Sequence, residues 1–241
     1  MSIKQASSIY KSLSDDQKKL IDEKMISSTL PVKHWMVFLK KAAAYDELGE
    51  KAARRYLIYM IILIVLDVVS LVVIIDYWQV GVPLFVVVSA LLVFVIRNYR
   101  KFIRRDLTNH LRLFLLPLLV VLKEKAGEKA KLSMNLDLRN PLKIEPAKVY
   151  QQDNRKIKLF EPKYVIGKIK LLDEALFEFI LQDEIRRLRI KKTRGGKTKI
   201  KVKFKVARFY FIKLSFPKKY YTTSNGKTDS VRISETDEHY I

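Results

Sequence analysis

The side chains with the clearest chemical potential in this sequence are lysines and arginines in one stretch. Residues 186–206 read RRLRIKKTRGGKTKIKVKFKV, and fifteen Lys or Arg with no Asp or Glu lie between residues 186 and 219. Clustered ammonium and guanidinium groups attract phosphates and carboxylates through charge alone. The stretch therefore predicts a surface that binds an anion, and the alternative is a solvated strand whose lysines discourage aggregation.

Alternation in this stretch predicts a β-hairpin around Gly195-Gly196. A three-residue loop, 194–196, would pair Ile190 with Ile200 and Leu188 with Val202, whereas a two-residue loop would mix charged and apolar side chains on each face. Because a slip of one residue exchanges the faces, the apolar pattern favours the three-residue loop. One face would then carry all the predicted anion-binding residues: Arg187, Arg189, Lys191, Lys199, Lys201, Lys203 and Lys205.

A second group of interest is a single carboxylate, Asp67, near the middle of the apolar segment Tyr56–Ile75. An ionisable side chain inside a membrane is costly and is by default a functional candidate. A proton relay normally needs more than one such group, and the neighbouring segments add only Ser70 and Ser89. We therefore expect a protonated or water-facing Asp67 at a helix–helix contact, with a transport role as the alternative.

Signals for catalysis are missing from the sequence. The chain has no cysteine, and its three histidines, His34, His110 and His239, are scattered without metal-ligand spacing. Gly195-Gly196 is an isolated pair and not a phosphate-binding loop. We therefore expect no metal, no cofactor and no enzymatic activity.

The largest elements predicted by the sequence are two apolar segments joined by a very short loop. Tyr56–Ile75 has one charge in twenty residues, and Val80–Ile96 has none in seventeen. At about 1.5 Å per residue, twenty residues of helix reach roughly 30 Å, the thickness of a bilayer core. The segments therefore predict a two-helix transmembrane hairpin. A buried core helix is the alternative, but two such runs would leave no polar face for water.

Charge next to the two segments predicts their orientation. Lys51, Arg54 and Arg55 precede the first segment, a basic run that starts at Arg97 follows the second, and the loop 76–79 has no Lys or Arg. Such a bias predicts both termini in the cytoplasm and the loop outside. We expect an integral protein of the cytoplasmic (inner) membrane, and no signal peptide, because fifty-five residues rich in charge precede the first apolar run.

The remaining patterns predict an α+β membrane protein with N-terminal helices and a small C-terminal antiparallel β domain. Ser14 and Gln17 have capping-box spacing for a helix that would run to about Ser27, and alternation from Lys131 predicts strands. The expected regions are a cytoplasmic helical segment 1–55, the hairpin 56–97, a linking amphipathic helix 98–130, a cytoplasmic basic β domain 131–221 and a polar tail 222–241.

A resemblance supports this layout. The runs KKTRGGKTKIKVKF and LSFPKKYY, after a two-span hairpin and a long helix, resemble uncharacterised bacterial two-span membrane proteins. The resemblance covers the C-terminal half and implies no activity and no site residue.

These observations favour a non-enzymatic membrane anchor or assembly protein. Residues 97–241 hold 36 Lys and Arg against 16 Asp and Glu, which is +20 of the formal net charge of +22. A cytoplasmic domain of this charge predicts anionic inner-leaflet lipids as the partner, with an acidic protein, nucleic acid or a second copy in a homo-oligomer as alternatives. Two other functions stay open: a membrane-perturbing effector gated by a ligand of the soluble domain, and tethering of nucleic acid to the membrane.

Overall fold

The fold is α+β and divides into two compact units. The computed structural model describes residues 2–152, 155–194, 197–219 and 239–240. The first unit contains residues 1–22 and 38–108, and the second contains residues 23–37 and 109–241. The predicted polar tail, 222–241, lies outside the described residues except for 239–240.

The first unit is helical, with four helices that lie wholly or mostly in it: α1 (Ser2–Ser12), α2 (Asp15–Glu23), α3 (Val32–Asp76) and α4 (Trp78–Arg105). The predicted capping box opens α2, because the Ser14 backbone N–H donates to Gln17 Oε1 (3.0 Å) and the Gln17 N–H to Ser14 Oγ (3.3 Å). The predicted end near Ser27 is wrong. Lys24 has a positive φ of 62°, and a strand follows it.

Helices α3 and α4 are long and apolar enough to cross a membrane. They are joined at Tyr77, and Gly81 lies so close to Ile74 that a Cβ would sit 2.7 Å from its backbone. Only 6% of the most apolar window of α3 and 17% of that of α4 is buried. The alternative of buried core helices does not fit, because a core helix hides its apolar side chains from water.

The second unit is an antiparallel sheet of seven strands with a helix packed on it. The spatial order is β1-β2-β5-β6, while β4 and β3 continue beside the far half of β6, and β7 pairs with the other edge of β6. A two-residue segment, His239–Tyr240 (β8), pairs with the end of β7. The seven strands are β1 (Met25–Pro31), β2 (Lys131–Asp137), β3 (Lys148–Gln152), β4 (Arg155–Phe160), β5 (Lys163–Lys170), β6 (Leu176–Arg194) and β7 (Lys197–Pro217).

The core of this unit lies between one sheet face and the linking helix. A π-helical turn (Leu111–Leu115) leads into α5 (Leu116–Ala126), and its buried leucines recur about every fourth residue: Leu111, Leu115, Leu119 and Leu122. The sequence predicts for 111–122 a helix that is buried against the soluble domain or lies at the bilayer surface, and these leucines favour the first alternative. Gly127, a residue type that predicts a helix end, has φ 85° and ends α5. The linking helix predicted for 98–130 is interrupted, because α4 ends at Arg105 and extended backbone follows at Asp106.

Other departures concern strands. The sequence predicted a loop with at most one strand for 141–163, whereas β3 and β4 form a hairpin there, after a short 3-10 turn at Pro141–Lys143. Residues 23–37, expected in a helical segment, contribute β1 and the buried Trp35, whose Nε1–H donates to the Leu132 carbonyl (3.0 Å). The apolar residues around Trp35 predict either an amphipathic helix on the inner leaflet or a helix packed on the C-terminal domain, and the contact favours the second alternative.

Candidate anion-binding surface

The lysines and arginines singled out above lie on a projecting part of the sheet. Strands β6 and β7 pair over nineteen residue pairs without a shift of register. The far half of β6 has β4 as its second neighbour. We call residues 186–194, 197–206 and 155–159 the basic arm, and its turn residues Gly195-Gly196 lie outside the described residues.

The predicted register of this hairpin is wrong. Arg194 pairs with Lys197, so that Lys191 faces Ile200, Arg189 faces Val202 and Leu188 faces Lys203. Directly opposed residues share a face, and neighbours along a strand alternate between faces. The seven predicted residues are therefore divided between the two faces, with three on one and four on the other.

The register follows from the base of the hairpin and not from its tip. At the base, Phe179 faces Ile212 and Leu181 faces Tyr210 on the helix-covered side of the sheet. Side chains alternate between the two faces along each strand, so these core contacts determine which residues share a face along the whole hairpin. A shift of the register by one residue would expose the core side chains at the base. Leu188, left without an apolar partner on β7, lies beside Ile157 of β4. The sequence offered Ile157–Phe160 as a short strand but did not pair it with β6, and so the apolar partner was sought on β7.

One face of the arm, the arginine face, combines cations with exposed apolar side chains. Arg187, Arg189 and Lys191 share it with Lys158 and Lys156 of β4. Across from them on β7 are four apolar residues that are 40–57% exposed: Ile200, Val202, Phe204 and Val206. The Arg187 guanidinium lies 6.0 Å from the centre of the Phe204 ring. Sequence reasoning missed Lys156 and Lys158, although RKIKLF shows the alternation that would have identified them.

The other face, the lysine face, carries a row of five lysines along β7, of which Lys197 is nearest the tip. Lys199, Lys201, Lys203 and Lys205 are exposed, and their partners on β6 are Lys192, Ile190, Leu188 and Arg186. Two of these four pairs join like charges, and Arg194 with Lys197 at the tip is a third such pair. Among the described residues of the arm, only Arg186 forms an ion pair, with Glu184. The uncompensated charge favours an anionic partner for both faces.

A buried polar cluster lies where the arm leaves the core. Asp183 is 3% exposed and receives a hydrogen bond from Arg208 Nε at 2.9 Å. His110 Nε2 lies 3.5 Å from the other oxygen of Asp183, and the imidazole contacts the Tyr164 ring at 4.4 Å between centres. The cluster joins the start of the linking helix to β6 and β7.

Burial and neighbouring charges shift the pKa values of three side chains in the cluster. Burial lowers the pKa of His110, and the nearby Arg208 lowers it further, which outweighs the opposite effect of Asp183. The Asp183 carboxylate raises the pKa of Arg208, and burial raises the pKa of Tyr164 to about 12. The imidazole is therefore neutral at neutral pH, and Arg208 is the counter-ion of Asp183.

The carboxylate in the first apolar segment contacts the second one. Ser89 Oγ donates a hydrogen bond to Asp67 Oδ1 at 2.8 Å, and Ser70 Oγ donates to the Asp67 carbonyl at 2.7 Å. Ser89 belongs to α4, so Asp67 lies at a helix–helix contact. This position supports the packing role over the transport role.

No protein-family model, curated protein or solved structure matches this chain. The resemblance to bacterial two-span membrane proteins therefore stays a prediction. Within the described residues, no group of three or more His, Cys, Asp or Glu could hold a metal ion.

His110 should make the stability of the protein depend on pH. Its pKa in the folded protein is below the ordinary value of 6.5, so below that pH the unfolded chain takes up a proton that the folded protein resists. The free energy of unfolding should fall as the pH drops from 7.5 to 5.5, by at most about 1.4 kcal/mol per pH unit. Thermal unfolding in detergent should show a smaller slope for His110→Gln than for the exposed control His34→Gln. Equal slopes would contradict a buried neutral imidazole.

Removing the Asp67 carboxylate should weaken the helix pair. Hydrogen bonds between apolar helices contribute about 0.6 kcal/mol on average, so Asp67→Leu should lower stability in micelles by about 0.5 to 1.5 kcal/mol. Asp67→Asn keeps an acceptor for Ser89 and should behave like the wild type, as should the control Asp76→Asn. Proton flux through proteoliposomes that Asp67→Asn abolishes would instead show a transport role.

Proposed function

We propose that this protein is a non-enzymatic membrane anchor whose basic arm binds anionic lipid. In this proposal, α3 and α4 cross the cytoplasmic membrane as a hairpin, with both termini in the cytoplasm. The observation that carries the proposal is the presence in one chain of two helices with unburied apolar windows and of a cationic arm.

Energetic magnitudes support insertion of the first helix despite its carboxylate. Tyr56–Ile75 contains fifteen Ile, Leu or Val. At about 0.3 to 0.6 kcal/mol each, they favour insertion by about 5 to 9 kcal/mol, against a cost of about 3 kcal/mol for one central Asp. The hydrogen bond from Ser89 reduces that cost. The second segment has no charge to oppose its insertion.

The arginine face favours lipid over the other anionic partners. A membrane boundary offers phosphates to cations and acyl chains to apolar side chains at almost the same depth. Guanidinium and ammonium groups alternate across this face with exposed Val202 and Phe204. Single-stranded nucleic acid would favour a row of aromatic rings for stacking, and on this face of the arm Phe204 is the only described ring.

Covalent tethering strengthens the preference for lipid. Only residues 106–110 separate α4 from the π-helical turn of the β unit. A cationic surface attached in this way meets anionic headgroups at a high effective concentration, which raises occupancy without any new contact. Nucleic acid or an acidic protein would have to compete with a partner that is always present.

Neutralising the arm should weaken its binding to anionic vesicles. Full-length protein in phosphatidylcholine nanodiscs would be mixed with vesicles of phosphatidylcholine and phosphatidylglycerol in equal parts. Each cation near such a surface contributes about 1 kcal/mol, so removal of three should lower the affinity at least tenfold. The arginine-face variant is Arg187→Gln, Arg189→Gln and Lys191→Gln, and the lysine-face variant is Lys199→Gln, Lys201→Gln and Lys203→Gln.

A remote variant with the same loss of charge is the control for this experiment. Lys4→Gln, Lys11→Gln and Lys131→Gln change exposed lysines outside the arm and should leave vesicle binding within twofold of the wild type. If both arm variants match this control, the lipid-binding proposal is wrong. Duplex or single-stranded DNA that competes for the arm at lower concentration than the vesicles would point to nucleic acid.

The absence of cysteine makes the proposed topology directly testable. Tyr77→Cys, at the turn between α3 and α4, should react with a membrane-impermeant maleimide added to intact cells. Lys131→Cys, in β2, should react only after the cells are permeabilised. The reverse pattern would show that the orientation is inverted, and labelling of both positions in intact cells would contradict a cytoplasmic β domain.

A further inference from the structure

The most charged helix face in the first unit lies at the end of α4. Four cations follow its apolar part within eight residues: Arg97, Arg100, Lys101 and Arg104. At about 100° per residue, they fall within an arc of roughly 100° together with Val93, one turn earlier. The face therefore changes from apolar to cationic within about one turn, and the four cations span about 10 Å of the helix axis.

This arrangement is unfavourable unless an anion is present. Like charges three or four residues apart on a helix destabilise it by about 0.2 to 0.5 kcal/mol per pair, and this face contains four such pairs. Positive charge next to a span sets its orientation wherever it lies around the helix. Orientation therefore explains the number of cations, but it does not explain their position on one face.

Acidic side chains of the unit do not neutralise these four cations. The nearby Asp22 accepts a hydrogen bond from Arg105 Nε at 2.8 Å and another from the Tyr10 hydroxyl at 2.7 Å. No ion pair within the described part of the chain joins an Asp or Glu to Arg97, Arg100, Lys101 or Arg104. The fifth cation, Arg105, is thus compensated, whereas its four neighbours are not.

A cavity of about 1000 Å³ lies against this face. Its cationic end is lined by the four cations and Arg105 beside Asp22, and its other end by Val93, Phe94 and Ile96. Such a space accommodates a charged headgroup at one end and the first carbons of acyl chains at the other. Along the helix, the lining changes from apolar to cationic, in the same order as a phospholipid changes from acyl chains to anionic headgroup.

We propose that this cavity is a binding site for a phospholipid that carries two phosphate groups. Four uncompensated cations over about 10 Å exceed what one phosphodiester can neutralise, while two phosphates reach both helical turns. Guanidinium groups bind phosphate oxygens in pairs, which favours arginine at three of the four positions. The inference rests on the proposed membrane insertion, but it does not involve the basic arm.

The border of the other apolar helix supplies a matched comparison. Lys51, Arg54 and Arg55 also lie next to an apolar segment, and there Lys51 is paired with Glu47 at 2.6 Å. The α3 border has three cations and a cavity of about 270 Å³ beside Arg54, whereas the α4 border has five cations and the cavity of about 1000 Å³. The two borders therefore differ in the number of cations, in the size of the cavity and in compensation by acids. A general attraction of anionic lipid would act at both, whereas a specific site would act only at α4.

Native mass spectrometry of the full-length protein would test the site. The protein would be reconstituted with cardiolipin, which has two phosphates, or with phosphatidylglycerol, which has one, at equal total phosphate, and then released from micelles. We expect retained cardiolipin to exceed phosphatidylglycerol at least fivefold. Arg97→Gln, Arg100→Gln and Arg104→Gln together should abolish this excess, while Lys51→Gln, Arg54→Gln and Arg55→Gln should preserve it.

Two further variants separate the site from charge in general and from the arm. Arg97→Lys, Arg100→Lys and Arg104→Lys keep the charge and should keep at least a third of the retained cardiolipin. The arginine-face variant of the arm should retain as much as the wild type. Equal retention of the two lipids, or equal losses from the two border variants, would overturn the site while leaving membrane insertion intact. Recovery of the wild type in the soluble fraction would overturn the insertion and the site together.

Discussion

The apolar surface of α3 and α4 is the constraint on which the rest of this structure depends. The most apolar windows of these helices are mostly unburied, and the exposed side chains there are mainly aliphatic. Water does not tolerate a continuous apolar surface of this length, whereas a bilayer core does. The remaining features fit that setting: a tight turn at Tyr77, one carboxylate hydrogen-bonded between the helices, and cations beyond both ends.

Within the β unit, the register of β6 and β7 determines which side chains share a face. Phe179 and Leu181 fix this register by packing in the core, and the nineteen pairs continue to the tip without a shift. Asp183 and Arg208 lie on the core face at the point where apolar residues give way to cations, and their ion pair compensates the first charge placed there. Packing at the base of the arm therefore determines which cations lie on each of its two faces.

Sequence periodicity was sufficient for the elements with a strong local pattern and insufficient for the pairing of strands. The apolar segments, the capping box at Ser14, the strand from Lys131 and the helix end at Gly127 each depend on local chemistry, and each was predictable. The register of the hairpin depends on β4, which is distant in sequence, and on core contacts at the other end of the same strands. The lysines and arginines of the arm were therefore identified, while their distribution over two faces was not. Strand β1 was missed for the same reason, because its partner β2 lies about a hundred residues away.

Extraction of native membranes at alkaline pH tests the central claim most directly, because it removes proteins held by charge and retains those held by lipid contact. With α3 and α4 in the bilayer core, the full-length protein should remain in the membrane pellet after washing with alkaline carbonate and high salt, and only detergent should release it. Release of the protein by carbonate or salt alone would contradict insertion and would mean that the basic surfaces are its only attachment.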